Sequence, residues 1–213
     1  MNGLADRLAH VLWIGGAPRA GKTTLARQLA GKYDLRIYNL DWHHVREHRA
    51  GGGRAMGWWD ERTPDQRWLD VTPSELLERS IAAWDEGFPL VVDDILALPT
   101  TRTIIADGPG AFPWLVAPLI TDHRQAIFLV GTPEVRQRIL AGRGPGSAEE
   151  TTDPLRARAN LHERDLRLGV AIGESCTGLG LRCVQIDGSL DLDASLTLLE
   201  DHFGPHLPTT LNV

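Results

Sequence analysis

The stretch Gly16-Ala17-Pro18-Arg19-Ala20-Gly21-Lys22-Thr23 decides how the rest of this chain is interpreted, because it fits the pattern G-x-x-x-x-G-K-[ST]. An apolar run at 11–14 precedes it and predicts a buried strand, and a helical pattern follows it to about Gly31. Glycines let the backbone curl until its N–H groups face an anion at the start of a helix. The stretch is therefore predicted to be a phosphate-binding loop between a strand and a helix.

Individual residues of this loop have expected roles toward a nucleotide and a metal ion. Lys22 is expected to reach the β- and γ-phosphates as a catalytic group, and the Thr23 hydroxyl to ligate Mg²⁺. Only two of the 22 basic residues are lysines, Lys22 and Lys32, which favours a chemical role for a lysine in this motif. We also expect Lys22 to be exposed, since it stands where a loop joins a helix. The residues expected to bind the nucleotide are Gly16, Ala17, Pro18, Arg19, Ala20, Gly21, Lys22, Thr23 and Thr24.

Length and composition restrict the class of protein. The 213 residues fit a single domain, 1–213. Acidic residues outnumber basic ones by 28 to 22, and the net charge of −6 argues against broad electrostatic binding to nucleic acid or to an anionic membrane. No stretch reaches the roughly 18 apolar residues of a membrane span. The two cysteines have neither C-x-x-C nor zinc-finger spacing, and the N-terminus lacks a signal-peptide pattern. Both observations favour a cytoplasmic location.

Apolar runs alternate with helical patterns along the rest of the chain. The further predicted strands are 35–40, 103–106, 126–130 and 183–186. Five strands that alternate with helices predict an α/β fold, in which a parallel sheet carries helices on both faces. Such sheets bind ligands beyond the carboxyl ends of their strands. Because the first three strands end at Gly15, Asp41 and Asp107, a glycine turn and two carboxylates are expected at one edge.

The remaining segments are predicted from their turn and capping residues. Residues 42–70 show no regular period and are predicted to be irregular. Thr72 is predicted to cap a helix that begins at Pro73, and Pro89 to open a separate helix through Leu98. Later helices are predicted at 112–120, 132–142, 153–177 and 191–203.

The phosphate loop, Asp41, the Asp107-Gly108 pair and the stretch 186–189 (IDGS) together resemble the small P-loop kinases. These include nucleoside and nucleotide kinases, gluconate and shikimate kinases, and chloramphenicol phosphotransferase. The stretches PEVRQRILAGR, DPLRARANLHERD and VQIDGS resemble a bacterial group of nucleotide-kinase-like proteins. The resemblance implies a P-loop NTPase three-layer fold with sheet order 2-3-1-4-5 and a mobile lid over the phosphates, with ATP and Mg²⁺ as cofactors. It is weakest over 42–100, where a substrate-binding insert is expected, and the lid is expected within 142–168.

The same resemblance implies roles for the two carboxylates. Asp41 would accept the proton of the attacking hydroxyl or anchor the substrate, and the alternative is a turn aspartate that caps the next helix. Asp107 would lie near Mg²⁺ and the substrate, and the alternative is an ordinary Asp-Gly turn. Which of the two carboxylates is the base stays open. Asp93 and Asp94 are interpreted as mainly structural.

A cationic face is predicted on the helix that begins near 153. At 100° per residue, Arg156, Asn160, Arg164 and Arg167 fall within about 80° of one another. Several hydrogen-bond donors that point at one spot suit a triphosphate, whose negative charge spreads in the transition state. Asn160 is therefore predicted to bind the nucleotide and Arg164 to act in catalysis. The alternative is a solvated helix face. Arg143, in the preceding loop, is a further nucleotide-binding candidate.

The segment predicted to be irregular is rich in aromatic residues and histidines. Trp58, Trp59 and Trp68 could stack on a base or a sugar, or pack a small subdomain core instead. Trp58, Trp59 and His44 are predicted to bind the substrate. His44 and His48 have an i, i+4 spacing that could bind a metal, but the sequence offers no evident third ligand.

Together these patterns predict an ATP- and Mg²⁺-dependent phosphotransferase. Its acceptor is expected to be a hydroxyl of a small molecule, such as a nucleoside, a nucleotide or an antibiotic-like natural product. A second hypothesis is a nucleotide-binding regulatory or resistance protein that binds ATP without transferring phosphate. Phosphorylation of polynucleotide ends is a third, which the acidic balance disfavours. No nucleic-acid or membrane partner is expected, and a homodimer is left open.

Overall fold

A five-stranded parallel sheet forms the centre of the protein, which a computed structural model describes over residues 3–142 and 147–209. The strands are β1 Val11–Gly16, β2 Arg36–Asn39, β3 Ile104–Asp107, β4 Ala126–Gly131 and β5 Arg182–Ile186. Their spatial order is β2-β3-β1-β4-β5, and every neighbouring pair is parallel. This arrangement confirms the predicted fold class and sheet order.

Helices connect the strands on both faces of the sheet. They are α1 Leu4–Arg7, α2 Lys22–Tyr33, α3 Leu40–His43, α4 Arg54–Asp60, α5 Pro64–Trp68, α6 Pro73–Ala97, α7 Pro113–Val116, α8 Pro133–Gly142, α9 Pro154–Leu179 and α10 Leu192–Phe203. A π-helical turn, His44–His48, continues α3. Within the described ranges, no helix has both the length and the apolar character to cross a membrane.

Alternate residues of the strands pack into two separate cores, one on each face of the sheet. Val11 and Trp13 of β1 pack with residues of α6 and α9. Leu12 and Ile14 point the other way and pack with residues of α2 and α10. Side chains alternate between faces along a strand, so an entirely buried β1 requires cover on both sides. This burial fixes the central strand, and with it the loop that follows.

The prediction that residues 42–70 are irregular was wrong. The segment contains the second half of α3, the π-helical turn, α4 and α5. Each of these helices is at most seven residues long. A helix of fewer than about two turns repeats its apolar face only once, so its period is not visible in the sequence.

Pro89 does not open a separate helix, as the sequence predicted, but lies inside α6. Proline cannot donate the i→i−4 hydrogen bond and usually breaks a helix interior. Here Phe88, Val91 and Ile95 are buried beside it and belong to one core, so packing on both sides of the proline keeps the helix continuous. The long α6 places its earlier part beside the phosphate loop.

Candidate active site

The phosphate loop follows β1, and glycines occupy two of its bends. Gly16 has φ +122°, and a Cβ there would overlap the backbone of Leu129 in β4. Ala17 then donates its N–H to the Leu129 carbonyl at 2.9 Å. Gly21 has φ +83° and stands directly before α2, whose first residue is Lys22. The loop therefore ends at a helix N-terminus, the geometry that favours anions.

Lys22 is buried inside this loop, with 6% of its surface exposed, so the expectation of an exposed lysine was wrong. Its ammonium folds back and donates to the Ala17 carbonyl at 2.7 Å. Desolvation lowers the pKa of Lys22 to about 8, although Asp41, Asp107 and Asp165 oppose the shift. The cation thus lies where a loop of this type would hold phosphate.

Asp107 joins the ends of β3 and β2 to the start of α2. It is fully buried, and the Thr23 hydroxyl donates to its Oδ2 at 2.6 Å. Asn39, its register partner on β2, donates Nδ2 to Oδ1 at 3.1 Å. Asn39 also caps α3, since its Oδ1 accepts the Trp42 N–H at 2.8 Å. One hydroxyl and one amide therefore orient this carboxylate toward the phosphate loop.

Asp41 follows Asn39 by two residues and lies in the first turn of α3. The residue is exposed to solvent in an open cleft. Protein atoms still crowd its carboxyl, and the resulting desolvation raises its pKa, with Asp107 adding to the shift and Lys22 opposing it. A carboxylate with a raised pKa is a better proton acceptor, as a general base requires.

Lys22, Thr23 and Asp41 share a cleft of about 430 Å³, and the buried Asp107 contacts this lining through Thr23. Its lining comes from the phosphate loop, α3, α6, α9 and the turn after β3. The lining residues are Pro18, Arg19, Ala20, Gly21, Lys22, Thr23, Thr24, Asp41, Ser80, Trp84, Pro109, Arg164, Asp165 and Leu168. The structure thus brings most of the predicted nucleotide residues together with Asp41 and Arg164.

Asp165 is a residue of α9 that lines the cleft. Its side chain is fully buried and contacts three arginines. Its Oδ2 lies 3.2 Å from Arg19 of the phosphate loop and 2.6 Å from Arg136 of α8. Its Oδ1 lies 2.6 Å from Nε of Arg164. Arg164 also donates to the Ser80 hydroxyl at 2.9 Å. One carboxylate therefore fixes the phosphate loop, α8 and α9 relative to one another.

The predicted cationic face of α9 does not converge on one spot. Arg156 donates to the Leu69 carbonyl, and Asn160 to the Trp68 carbonyl at 2.9 Å. Arg167 donates to Ser74 at 2.8 Å. Only Arg164 of this set lines the cleft described above. The four share a face, but Arg156 and Arg167 are 11 positions apart, about 16 Å along the helix axis. Most of the four therefore dock α9 against the α5–α6 connection. Asn160 is therefore placed away from the phosphate loop.

The aromatic residues predicted to bind substrate occupy different places. Trp58 and Trp59 contact each other. Neither belongs to the described residues that line the cleft. His44 stacks on Trp84 with ring centroids 3.9 Å apart, and Trp84 itself lines the cleft. Desolvation, with smaller contributions from His48 and Arg49, lowers the pKa of His44 to about 4, so this imidazole is neutral at pH 7.

Several residues of the cleft were missed by the sequence analysis, and one predicted residue falls outside the described part of the chain. Arg143 lies between the two described ranges. The missed residues that line the cleft are Ser80, Trp84 and Asp165. Asn39 and Arg136, also missed, contact Asp107 and Asp165 respectively. The sequence did offer a signal for Asn39, which is a polar residue at the end of a short strand. It offered none for Arg136 and Asp165, because charged residues on helices are usually solvated.

The sheet order, the phosphate loop after the central strand and the carboxylate at the end of β3 define a P-loop NTPase three-layer fold of the kinase-like type. No protein-family model matches the chain, and a search of curated proteins found no match either.

Solved structures similar to this chain include three kinases. Shikimate kinase from Bacteroides thetaiotaomicron is 14% identical, with 90% of this chain and 96% of that one covered and a TM-score of 0.47. A sugar kinase from a Janibacter species is 17% identical, with 91% and 94% covered and a TM-score of 0.46. Thymidylate kinase from Candida albicans is 14% identical, with 94% and 95% covered and a TM-score of 0.49. At identities and TM-scores this low, the class rests on the sheet order and the phosphate loop.

Proposed function

We propose that this protein is an ATP- and Mg²⁺-dependent phosphotransferase acting on a hydroxyl of a small molecule, such as a nucleoside, a nucleotide or an antibiotic-like natural product. The supporting observation is a single cleft that holds Lys22 and Thr23 on the phosphate loop, Asp41 after β2 and Arg164 on α9. Phosphoryl transfer needs a cradle for the donor phosphates, a group that orients the acceptor and cations that offset the transferring charge. The cleft offers a residue for each task.

Thr23 and Asp107 fit a hard divalent cation, because both present oxygen atoms and these atoms lie within hydrogen-bonding distance of each other. These residues would hold Mg²⁺, which when bound neutralises charge on the β- and γ-phosphates. Asn39 keeps the Asp107 carboxylate oriented by donating to both of its oxygens.

In the proposed reaction, Asp41 orients the acceptor hydroxyl and takes its proton as the hydroxyl oxygen bonds to the γ-phosphorus. The bond between that phosphorus and the bridging oxygen breaks, and ADP leaves. Lys22 and Arg164 donate hydrogen bonds that offset the negative charge in the transition state. Trp84 lies on the side of the cleft formed by α6 and offers a flat surface for a ring of the acceptor.

The test is a mass-spectrometric screen for phosphorylated product, with ATP and a panel of nucleosides, nucleotides, sugars and aminoglycosides. The inactive variant is Lys22→Met, which preserves the buried aliphatic stem. The matched control is Lys32→Met, because Lys32 is exposed and pairs only with Glu200 among the described residues. One acceptor class should give product with the natural protein and with Lys32→Met, and none with Lys22→Met. ATP binding without transfer to any acceptor would favour the regulatory protein instead.

A further inference from the structure

A cluster of imidazole and carboxylate side chains lies where the π-helical turn meets α6, outside the residues used above. His43 Nδ1 lies 2.5 Å from Glu47 Oε2 and 4.0 Å from Asp94 Oδ2. The three ligand atoms all lie within 4.8 Å of one another. In a tetrahedral zinc site with bonds of about 2.0–2.1 Å, the ligand atoms are about 3.3 Å apart. Small side-chain rotations therefore bring these three atoms to coordination distance of one ion.

The π-helical turn adds a second imidazole to the cluster. Five residues apart on an α-helix, His43 and His48 would point about 140° away from each other. The π turn closes hydrogen bonds from i to i+5 and so aligns residues five apart. The ring centroids of His43 and His48 lie 6.1 Å apart, with an angle of 26° between the ring planes. His48 Nε2 lies 2.7 Å from Asp94 Oδ2. Two histidines and two carboxylates thus converge.

Outer contacts hold two of the three candidate ligands, His43 and Asp94, in place. The Tyr38 ring stacks on the His43 ring at 4.1 Å with an angle of 2°, and its hydroxyl donates to Asp94 Oδ2 at 2.7 Å. Trp42 meets the other side of His43 edge-on at 4.8 Å. Such outer partners orient ligands and keep carboxylates ionised in metal sites.

We propose that His43, Glu47 and Asp94 bind one Zn²⁺ ion, with water at the fourth position and with Tyr38 and His48 as outer partners. Mixed nitrogen and oxygen donors suit zinc, and the ion offsets two carboxylate charges held close together. The site ties the π-helical turn to α6 and so fixes the segment that follows Asp41. This proposal does not depend on the phosphotransferase.

The test is calorimetric titration with Zn²⁺ of the chelator-treated protein, in excess Mg²⁺ so that the oxygen ligands near the phosphate loop are saturated. We expect one zinc per chain with micromolar or tighter affinity. Glu47→Gln should abolish this binding while folding normally, since Glu47 is half exposed. Tyr38→Phe should weaken the affinity about 10–100-fold, the usual effect of removing an outer partner.

The matched control is His206→Gln, which breaks a single histidine–carboxylate pair, His206 with Asp122 at 2.8 Å. This variant should bind zinc like the natural protein. Cobalt substitution should give the visible absorption bands of a tetrahedral ion in the natural protein and in His206→Gln, and not in Glu47→Gln. Equal zinc stoichiometry in the natural protein and Glu47→Gln, or no binding by the natural protein, would overturn the proposal.

Discussion

Lys22 is charged at pH 7 but close to its titration range, because burial lowers its pKa to about 8. Only the ammonium form attracts phosphate, so the affinity of the protein for ATP should fall above about pH 8, by up to about tenfold per pH unit. The measurement is binding of a fluorescent ATP analogue between neutral pH and about pH 9.5. Lys22→Met should bind weakly and show no such decline. An affinity of the natural protein that stays constant through this range would contradict the role of Lys22.

The same pKa has the opposite effect on the stability of the empty protein. Between about pH 8 and the usual value of 10.5, the unfolded chain holds the Lys22 proton more tightly than the folded chain. The free energy of unfolding contributed by this residue therefore rises with pH in the range where nucleotide affinity falls. These opposite trends separate a loss of binding from a loss of folding.

The two carboxylates of the cleft should differ in their effects. Asp41→Asn keeps the size of the side chain but removes the base, so kcat should fall by about 10²–10⁴ with ATP affinity nearly unchanged. The activity of the natural protein should also decline as pH falls through the raised pKa of Asp41, and the variant should lack that decline. The measurements are kcat, acceptor KM and the pH profile.

Asp107→Asn is the counterpart of that experiment, because Asp107 accepts a hydrogen bond from Thr23 and, unlike Asp41, is not among the residues that line the cleft. Its main defect should be a raised magnesium requirement, measured as activity against magnesium concentration. If Asp41→Asn turns over like the natural protein while Asp107→Asn loses kcat at saturating magnesium, the two roles are exchanged.

At the scale of elements, residues on one face of α9 have different surroundings. Arg164 lines the cleft, whereas Arg156 contacts the carbonyl of Leu69. Arg164→Ala should lower kcat more than it lowers ATP affinity; a catalytic arginine is worth about 10³–10⁵ in the best cases. Arg156→Ala is the matched control on the same face of the helix and should leave kcat within a few-fold. Equal losses from both variants, measured by steady-state kinetics, would mean that the whole face acts together.

The sequence analysis misjudged α6 and the π-helical turn, and the structure gives a physical reason for each. In α6, apolar packing overrides the local effect of Pro89. At the π-helical turn, His43 meets both Glu47, four residues on, and His48, five residues on, so the sequence analysis examined the wrong histidine when it paired His44 with His48. His44 stacks on Trp84, and the histidine that faces Glu47 is His43. The third candidate ligand, Asp94, comes from another helix.

At the scale of the whole molecule, Asp165 connects the phosphate loop, α8 and α9 through Arg19, Arg136 and Arg164. Asp165 and Arg136 are almost completely buried, so Asp165→Asn leaves buried positive charge without its partner. We expect a loss of about 3–5 kcal/mol in the free energy of unfolding. The measurement is urea denaturation followed by circular dichroism.

The control for this loss is an exposed ion pair between Arg158 of the same helix and Glu149 in the turn before it. Arg158→Ala should cost less than about 1 kcal/mol, as exposed pairs usually do. A double variant, Arg136→Met with Asp165→Leu, should recover much of the stability, because it removes both buried charges. An Asp165→Asn loss no larger than that of Arg158→Ala would contradict the structural role of Asp165.

The sequence by itself determined the phosphate loop, the strands and the three-layer fold, because glycine turns and apolar runs are local patterns that burial on both faces of a sheet enforces. It also placed Asp41 and Asp107 at one edge, since parallel strands end together. Only the tertiary structure decided which charged side chains face the cleft. Asp165, Arg136 and Asp94 are ordinary helix residues in the sequence. Apart from Arg164, which adjoins Asp165, the partners named for them from other elements lie 29 or more positions away. Such contacts depend on how helices pack around the sheet, which no local period encodes.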